Sequence, residues 1–176
     1  MQKAPIYKTQ LHTAYIALGS NLQNPVLQVK QAFIALSQLT NSSLIQVSSL
    51  YQSEPIGYEN QPDFINAVAE ISTTLSPTEL LEALLTIENQ AGRERPFANA
   101  PRVLDCDLLC YDDIEMHTQQ LTLPHPRMHL RGFVLLPLAE IAPDLSIPNH
   151  GNVVKLAQTH LNQGIQKLDT SNEHIQ

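Results

Sequence analysis

The sequence has no tryptophan, only two cysteines and few aromatic residues, 5% in all. No apolar stretch approaches the roughly 20 residues a membrane-spanning helix needs. Residues Met1 to His12 also lack the apolar core of a secretory leader, so the chain is expected in the cytoplasm. Cys106 and Cys110 stand in a segment that reads as a strand, where both should point to the same face, too far apart along it for a disulfide. No Cys/His set of zinc spacing surrounds them, and they read as reduced, buried thiols. Basic residues are scarce: 10 Lys and Arg face 17 Asp and Glu, for a formal charge of -7. That balance excludes a general nucleic-acid binder, which needs a broad basic surface. Neither GxxxxGK[ST] nor GxGxxG occurs, which argues against P-loop and protein-kinase-like sites; any nucleotide must be held by another route. Repeats, low-complexity tracts and linkers are missing too. A single domain over residues 1–176 is expected, with its core at about 13–165 and its two ends flexible.

What is present is a regular alternation of short elements. Thr13 to Gly19 reads as a buried strand. Asn24 and Pro25 then give an N-cap and first-turn proline for a helix to about Leu39. Leu44 to Gln52 and Phe64 to Thr73 read as strands joined by a loop holding Glu54-Pro55-Ile56-Gly57. Ser76-Pro77-Thr78-Glu79 is a capping box, and Leu80, Leu84, Ile87 and Ala91 mark the apolar face of the helix it starts, with Gly92 placed to stop it. VLDCDLLCY supplies another strand. The order is β-α-β-β-α-β, so the expected fold is α+β and ferredoxin-like, an antiparallel sheet with helices packed on it plus C-terminal additions. Those additions are a short strand near Leu121 to Pro124 and helices over Gly132 to Ile141 and Val153 to Leu161, with a frayed tail from about Lys167.

Chemistry concentrates in one region. Asp105 and Asp107 flank Cys106, and strand alternation turns both carboxylates to one face. Two acids roughly 7 Å apart repel, and a shared hard cation such as magnesium, held together with phosphate oxygens, removes that repulsion. An Asp-x-Asp alone would equally suit a glycosyltransferase or a merely solvated strand. Every arginine (Arg93, Arg95, Arg102, Arg127, Arg131) lies in one portion of the chain while the lysines are scattered. Guanidiniums gathered beside carboxylates suit a compact polyanion, although ion pairing with the surplus acids would also explain them. Phe64 and Asn66 share a strand face on the side away from the helices, an arrangement suited to a flat heterocycle, although a Phe64 that simply covers exposed sheet would read the same way. His125 and Arg131 could add phosphate donors and Phe133 a second aromatic ring, although a histidine in this setting is more often a satisfied structural residue.

The stretches YIALGSNL, Ser-x-Pro-x-Gly followed by QPDFINAV, GRER…PRVLDCDLL, LPHPRM and RGFVLLPLAEIAP occur in this order between Ala14 and Pro148. On them the sequence resembles the 6-hydroxymethyl-7,8-dihydropterin pyrophosphokinase family. The resemblance implies a monomeric folate-synthesis enzyme that uses two magnesium ions and moves the terminal pyrophosphate of ATP to the pterin hydroxymethyl group. It implies Asp105 and Asp107 as metal ligands, and Arg93 and Arg102 as catalytic cations that move in on loop closure. Arg95, His125 and Arg131 would contact the triphosphate, and Glu88, Leu108 and Thr122 would help line the nucleotide pocket. The pterin would lie between Phe64 and Phe133, read by Asn66 and by the Ser53, Pro55, Ile56 and Gly57 loop. Two departures stand out: the arginine-bearing loop lacks the tryptophan common there and offers Phe97, and Phe64 stands where tyrosine is common.

The expected mechanism is in-line attack on the β-phosphorus, catalysed by positioning and charge neutralisation, with the loops at Gln52 to Pro62 and Arg93 to Pro101 closing over the substrates. A non-catalytic binding module, such as a ferredoxin-like sheet for RNA or a small regulator, would have no need of paired aspartates and would show a basic, aromatic sheet face, and neither fits. A phosphohydrolase or nucleotidyltransferase would differ in its products.

Overall fold

The computed structural model describes residues 10–94 and 96–169. Arg95, most of the N-terminal extension and the end of the tail lie outside the described residues.

Strict alternation builds the first strand. In β1 (His12–Ser20), Ala14, Ile16, Leu18 and Ser20 are buried and the residues between them are less so. Asn24 caps α1 (Pro25–Ser37) by accepting the Leu27 N–H at 3.3 Å. The single strand predicted over Leu44 to Gln52 is split into β2 (Ser42–Val47) and β3 (Tyr51–Ser53). Ser48 causes the break: its hydroxyl accepts the Val68 N–H at 2.9 Å, replacing a ladder carbonyl with a side chain. Both pieces pair with β4 (Phe64–Thr73), which is buried on both faces for most of its length. The capping box forms as predicted at the start of α2 (Pro77–Gln90), with Ser76 and Glu79 each accepting the other's backbone N–H.

Strand β5 (Asp105–Tyr111) joins the other side of β1, and the small pair β6 (Met116–His117) and β7 (Thr122–Leu123) follows it. A one-turn 3-10 helix at Met128–Leu130 leads into α3 (Gly132–Ile141), the hairpin of β8 (Ser146–Ile147) and β9 (Gly151–Asn152), and α4 (Val153–Gln158). Helix α4 stops short of the predicted Leu161 because Thr159 turns its hydroxyl back onto the Leu156 carbonyl at 2.7 Å. Gln166 and Lys167, expected to begin a frayed tail, instead form β10 (Gln166–Lys167) against β3, with Leu168 N–H donating to Leu50 O. The main sheet runs β10-β3-β4-β1-β5, with β2 also on β4 and every pairing antiparallel.

Helices α1 and α2 cover one face through Ile16, Leu18, Leu36, Ile71, Leu84 and Leu108. Helices α3 and α4 cover part of the other through Val68, Leu109, Met128, Leu135 and Leu138. The face carrying Phe64 and Asn66 is therefore not bare, as the sequence suggested, but roofed except at one end. A bulge in β5 sets which residues reach each side: Ile16 pairs with Leu108 and Tyr15 with Cys110, leaving Leu109 extra. Parity shifts there, so Cys106 and Cys110 lie in opposite cores rather than on one face. Both thiols are free and buried, and burial pushes their pKa values up, so they behave as small apolar side chains. Among the described residues no helix is long and apolar enough to cross a membrane.

Candidate active site

The unroofed end of the sheet is an open cleft walled by residues of β1, β4, β5, α3 and the connecting loops. Its floor is β1, where Ala17 and Gly19 stand opposite Asp107 and Asp105 in the register. Their small side chains leave the two carboxylates room, and both acids open onto this cleft. The bulge lies beyond them and does not disturb their shared direction.

Three guanidiniums face the same space, those of Arg102, Arg127 and Arg131. Arg102 pairs with Asp105 at 2.6 Å and lies over the Phe64 ring at 5.4 Å from its centroid. Arg131 is placed similarly over Phe133 at 5.7 Å. Burial lowers the Arg131 pKa, Asp107 and Asp105 oppose that shift, and Arg127 and Arg102 add to it. Cations held this close repel one another, a repulsion that a polyanion would relieve.

At the other end, Asn66 is buried and donates from Nδ2 to Ser53 Oγ at 2.8 Å. Phe64, Asn66, Ser53 and Ile56 all wall the cleft, joined by Phe133 from α3. Pro55 and Gly57 belong to the same loop but are not on the wall. Gly57 is required there: its φ is +91°, and an added Cβ would come within 2.8 Å of Asn99 Nδ2.

One buried amide ties the two loops together. Asn21 donates from Nδ2 to Gln61 Oε1 (2.8 Å) and Pro62 O (3.0 Å), and its Oδ1 accepts the Arg102 N–H (2.9 Å). Gln61 in turn donates to Asn99 O at 3.1 Å, and Tyr58 meets Phe97 edge-on at 5.3 Å. Phe97 thus packs loop against loop, half exposed and off the cleft wall.

A family model, described as 7,8-dihydro-6-hydroxymethylpterin-pyrophosphokinase (HPPK), matches residues 15–143. The chain belongs to that family. It is 47% identical over 157 residues to a Haemophilus influenzae protein named 2-amino-4-hydroxy-6-hydroxymethyldihydropteridine pyrophosphokinase, covering 89% of this chain and 98% of that one. The Pseudomonas aeruginosa protein of the same name is 40% identical, covering 90% and 98%. Among solved structures, Plasmodium falciparum HPPK-DHPS A437G with pteroate superposes with a TM-score of 0.71 at 13% identity. That likeness of fold covers 92% of this chain, which spans 47% of the Plasmodium one.

The HPPK residues inferred from sequence divide into two groups. Asp105, Asp107, Arg102, Arg131, Ser53, Ile56, Phe64, Asn66 and Phe133 meet in the cleft. Glu88, Leu108, Thr122 and Arg93 are not on its walls. Leu108 is buried in the core under α1 and α2. Thr122 lies in the β6–β7 hairpin. Glu88, 2% exposed, accepts the Cys106 N–H at 2.8 Å and pairs with Arg93 at 3.0 Å. Arg95 lies outside the described residues. The sequence reading gave no role to Glu54, Asn99 and Arg127, which do wall the cleft. For Arg127, its place in the arginine cluster was the available signal.

His125 sits at the edge of this group. Its Nδ1 accepts the Arg127 N–H at 3.1 Å, which leaves the proton of the neutral ring on Nε2. Burial lowers its pKa from 6.5; Asp107 opposes the shift, and Arg131 and Arg127 reinforce it. Burial likewise lowers that of His129, helped by His150, whose ring stacks on it at 3.7 Å, and by His160. A depressed histidine pKa means that the unfolded chain takes up protons first. Stability from these groups is complete above about pH 6.5 and is lost as pH falls through the lower folded-state values. The melting temperature should therefore drop from pH 7 to pH 5, less steeply in His125→Gln; an unchanged slope would show that His125 titrates normally.

Proposed function

We propose that the chain transfers the β,γ-pyrophosphate of ATP to the hydroxymethyl oxygen of 6-hydroxymethyl-7,8-dihydropterin, giving AMP and the pterin diphosphate, in folate synthesis. The observation that carries this reading is the meeting, in one cleft, of Asp105 and Asp107, three guanidiniums, and a Phe64–Asn66–Phe133 heterocycle slot. The enzyme is read as a cytoplasmic monomer with a ferredoxin-like core. The strand order β3-β4-β1-β5, with α1 and α2 on one face, supports that fold assignment.

The donor set fits magnesium. Asp105 and Asp107 offer hard oxygens, half-buried on one strand face and open to the cleft. Two carboxylates with water and substrate phosphates are the usual magnesium environment in phosphoryl transfer. When bound, two such ions would add charge stabilisation and lower the pKa of a coordinated hydroxyl.

The protein's own residues supply the rest. Arg131 and His125 orient the triphosphate, with Arg95 in the same role by family likeness. Arg102, now paired with Asp105 and lying over Phe64, exchanges those contacts for phosphate as the pterin takes the ring face. Asn66 and the Ser53–Gly57 loop read the pterin's polar edge. Arg93, at the root of its loop, is carried toward the phosphates by closure, and Glu88, Leu108 and Thr122 support the nucleotide side.

Incubating the chain with ATP, the pterin and magnesium and separating the products by chromatography tests the reading. AMP and pterin diphosphate in equal amounts are expected. ADP, free phosphate or pyrophosphate instead would move the chain to another reaction class.

A further inference from the structure

Helix α3 begins without a side-chain cap of its own: Arg131 is its N-cap residue and makes no capping hydrogen bond. The first helical N–H, that of Gly132, would be an orphan donor. It donates instead to Gln163 Oε1 at 2.9 Å, and Gln163 Nε2 donates to Leu130 O at 3.4 Å. One amide thus grips the peptide groups on both sides of Arg131. The segment bearing it presses on the same spot, since a Cβ on Gly132 would lie 2.6 Å from Ile165 Cδ1, 2.9 Å from Gln163 Oε1 and 3.1 Å from His160 O. Glycine is needed here for close approach rather than for backbone conformation. Just beyond, Gln166 pairs with Gln52, next to Ser53 of the heterocycle slot.

We infer that Gln163 is a positioning residue that fixes the backbone of Arg131 and so aims its guanidinium into the anion end of the cleft. This rests on the proposed function for the identity of the anion. The need for such a clamp follows from the crowding: Arg131 is partly buried with Arg127 and Arg102 nearby. An unrestrained N-terminal residue would relieve that repulsion by turning toward solvent. Holding its flanking peptides keeps the cation preorganised before the ligand arrives.

The test uses the full chain with Gln163→Ala, Gln163→Met and Arg131→Ala, plus the doubles of the last with each of the first two. Met keeps the bulk against Gly132 and removes both hydrogen bonds. Misaiming a phosphate-binding group should lower kcat/KM for ATP by roughly tenfold to a hundredfold. Most of that loss should appear in KM, and it should be alike in Gln163→Ala and Gln163→Met. In the Arg131→Ala background, either Gln163 change should cost less than twofold, because the group being aimed is gone. Loss of the same factor in both backgrounds, or full activity in Gln163→Met, would overturn the assignment. Failure of the parent chain to make AMP would instead reject the proposed reaction. The inference would then be decided by calorimetric binding of a non-hydrolysable ATP analogue, read for the same loss and the same coupling.

Discussion

Asp107→Ala is expected to lower kcat by on the order of a thousandfold, about 4 kcal/mol of transition-state stabilisation, while the fold survives. The side chain is only part-buried and opens on the cleft, so its loss leaves no cavity in either core. What is removed is negative charge at the one place where the site must attract a cation among three guanidiniums. Asp107→Asn should fall nearly as far, since it keeps shape and hydrogen bonding but not charge. Asp105→Ala should be at least as severe for a second reason. Its carboxylate holds Arg102 at 2.6 Å, and Arg102 lies on the Phe64 ring. Removing Asp105 should therefore shift KM for the pterin as well, since the pterin displaces Arg102 from that ring face; Asp107→Ala should not do so. Steady-state rates with each substrate varied, beside thermal melts, check both statements. Either alanine variant retaining a tenth of parental turnover would refute the assigned role.

Much of this site could be read from spacing because it rests on strands, where alternation dictates direction. Asp105 and Asp107, or Phe64 and Asn66, share a face by period alone, whereas the floor of Ala17 and Gly19 opposite the acids emerges only from the register of β1 on β5. The capping box at Ser76 was legible for a similar reason: its chemistry is complete within four residues. What escaped the sequence depends on partners distant in the chain. The bulge at Leu109 is a property of two strands in register, and it moved Cys110 to the other core. Asn21 belongs to a recognisable motif, yet nothing local says that its amide joins Gln61 to the Arg102 backbone. The roof of α3 and α4 hid what reads from β4 alone as an open face, and β10 forms only because β3 offers it an edge.

Glu88→Ala should destabilise the fold strongly while leaving every cleft wall intact. Glu88 lies in the last turn of α2, 2% exposed, and performs two tasks there. Its Oε1 takes the Cys106 N–H at 2.8 Å, fixing the strand residue between the two aspartates, and its Oε2 pairs with Arg93 at 3.0 Å. Alanine leaves a buried backbone donor without a partner and a half-buried guanidinium without its counter-charge. Each loss costs about 1–3 kcal/mol, so roughly 3 kcal/mol in all is expected. For a chain of this size that corresponds to a melting temperature lower by about 6–12 °C. Glu88→Gln separates the two tasks, because its amide oxygen still accepts from Cys106 while the charge facing Arg93 is gone. It should recover about half of the stability. If Glu88 acts only as a scaffold, residual activity at a temperature where both variants are folded should match the parent. If pairing also sets the resting position of Arg93, both variants should lose turnover to the same extent whatever their stability. A calorimetric scan and a rate measured well below the transition distinguish these outcomes. A melting temperature for Glu88→Ala within 2 °C of the parent would contradict the buried role drawn from the hydrogen bonds, because a surface carboxylate is the kind whose removal costs so little.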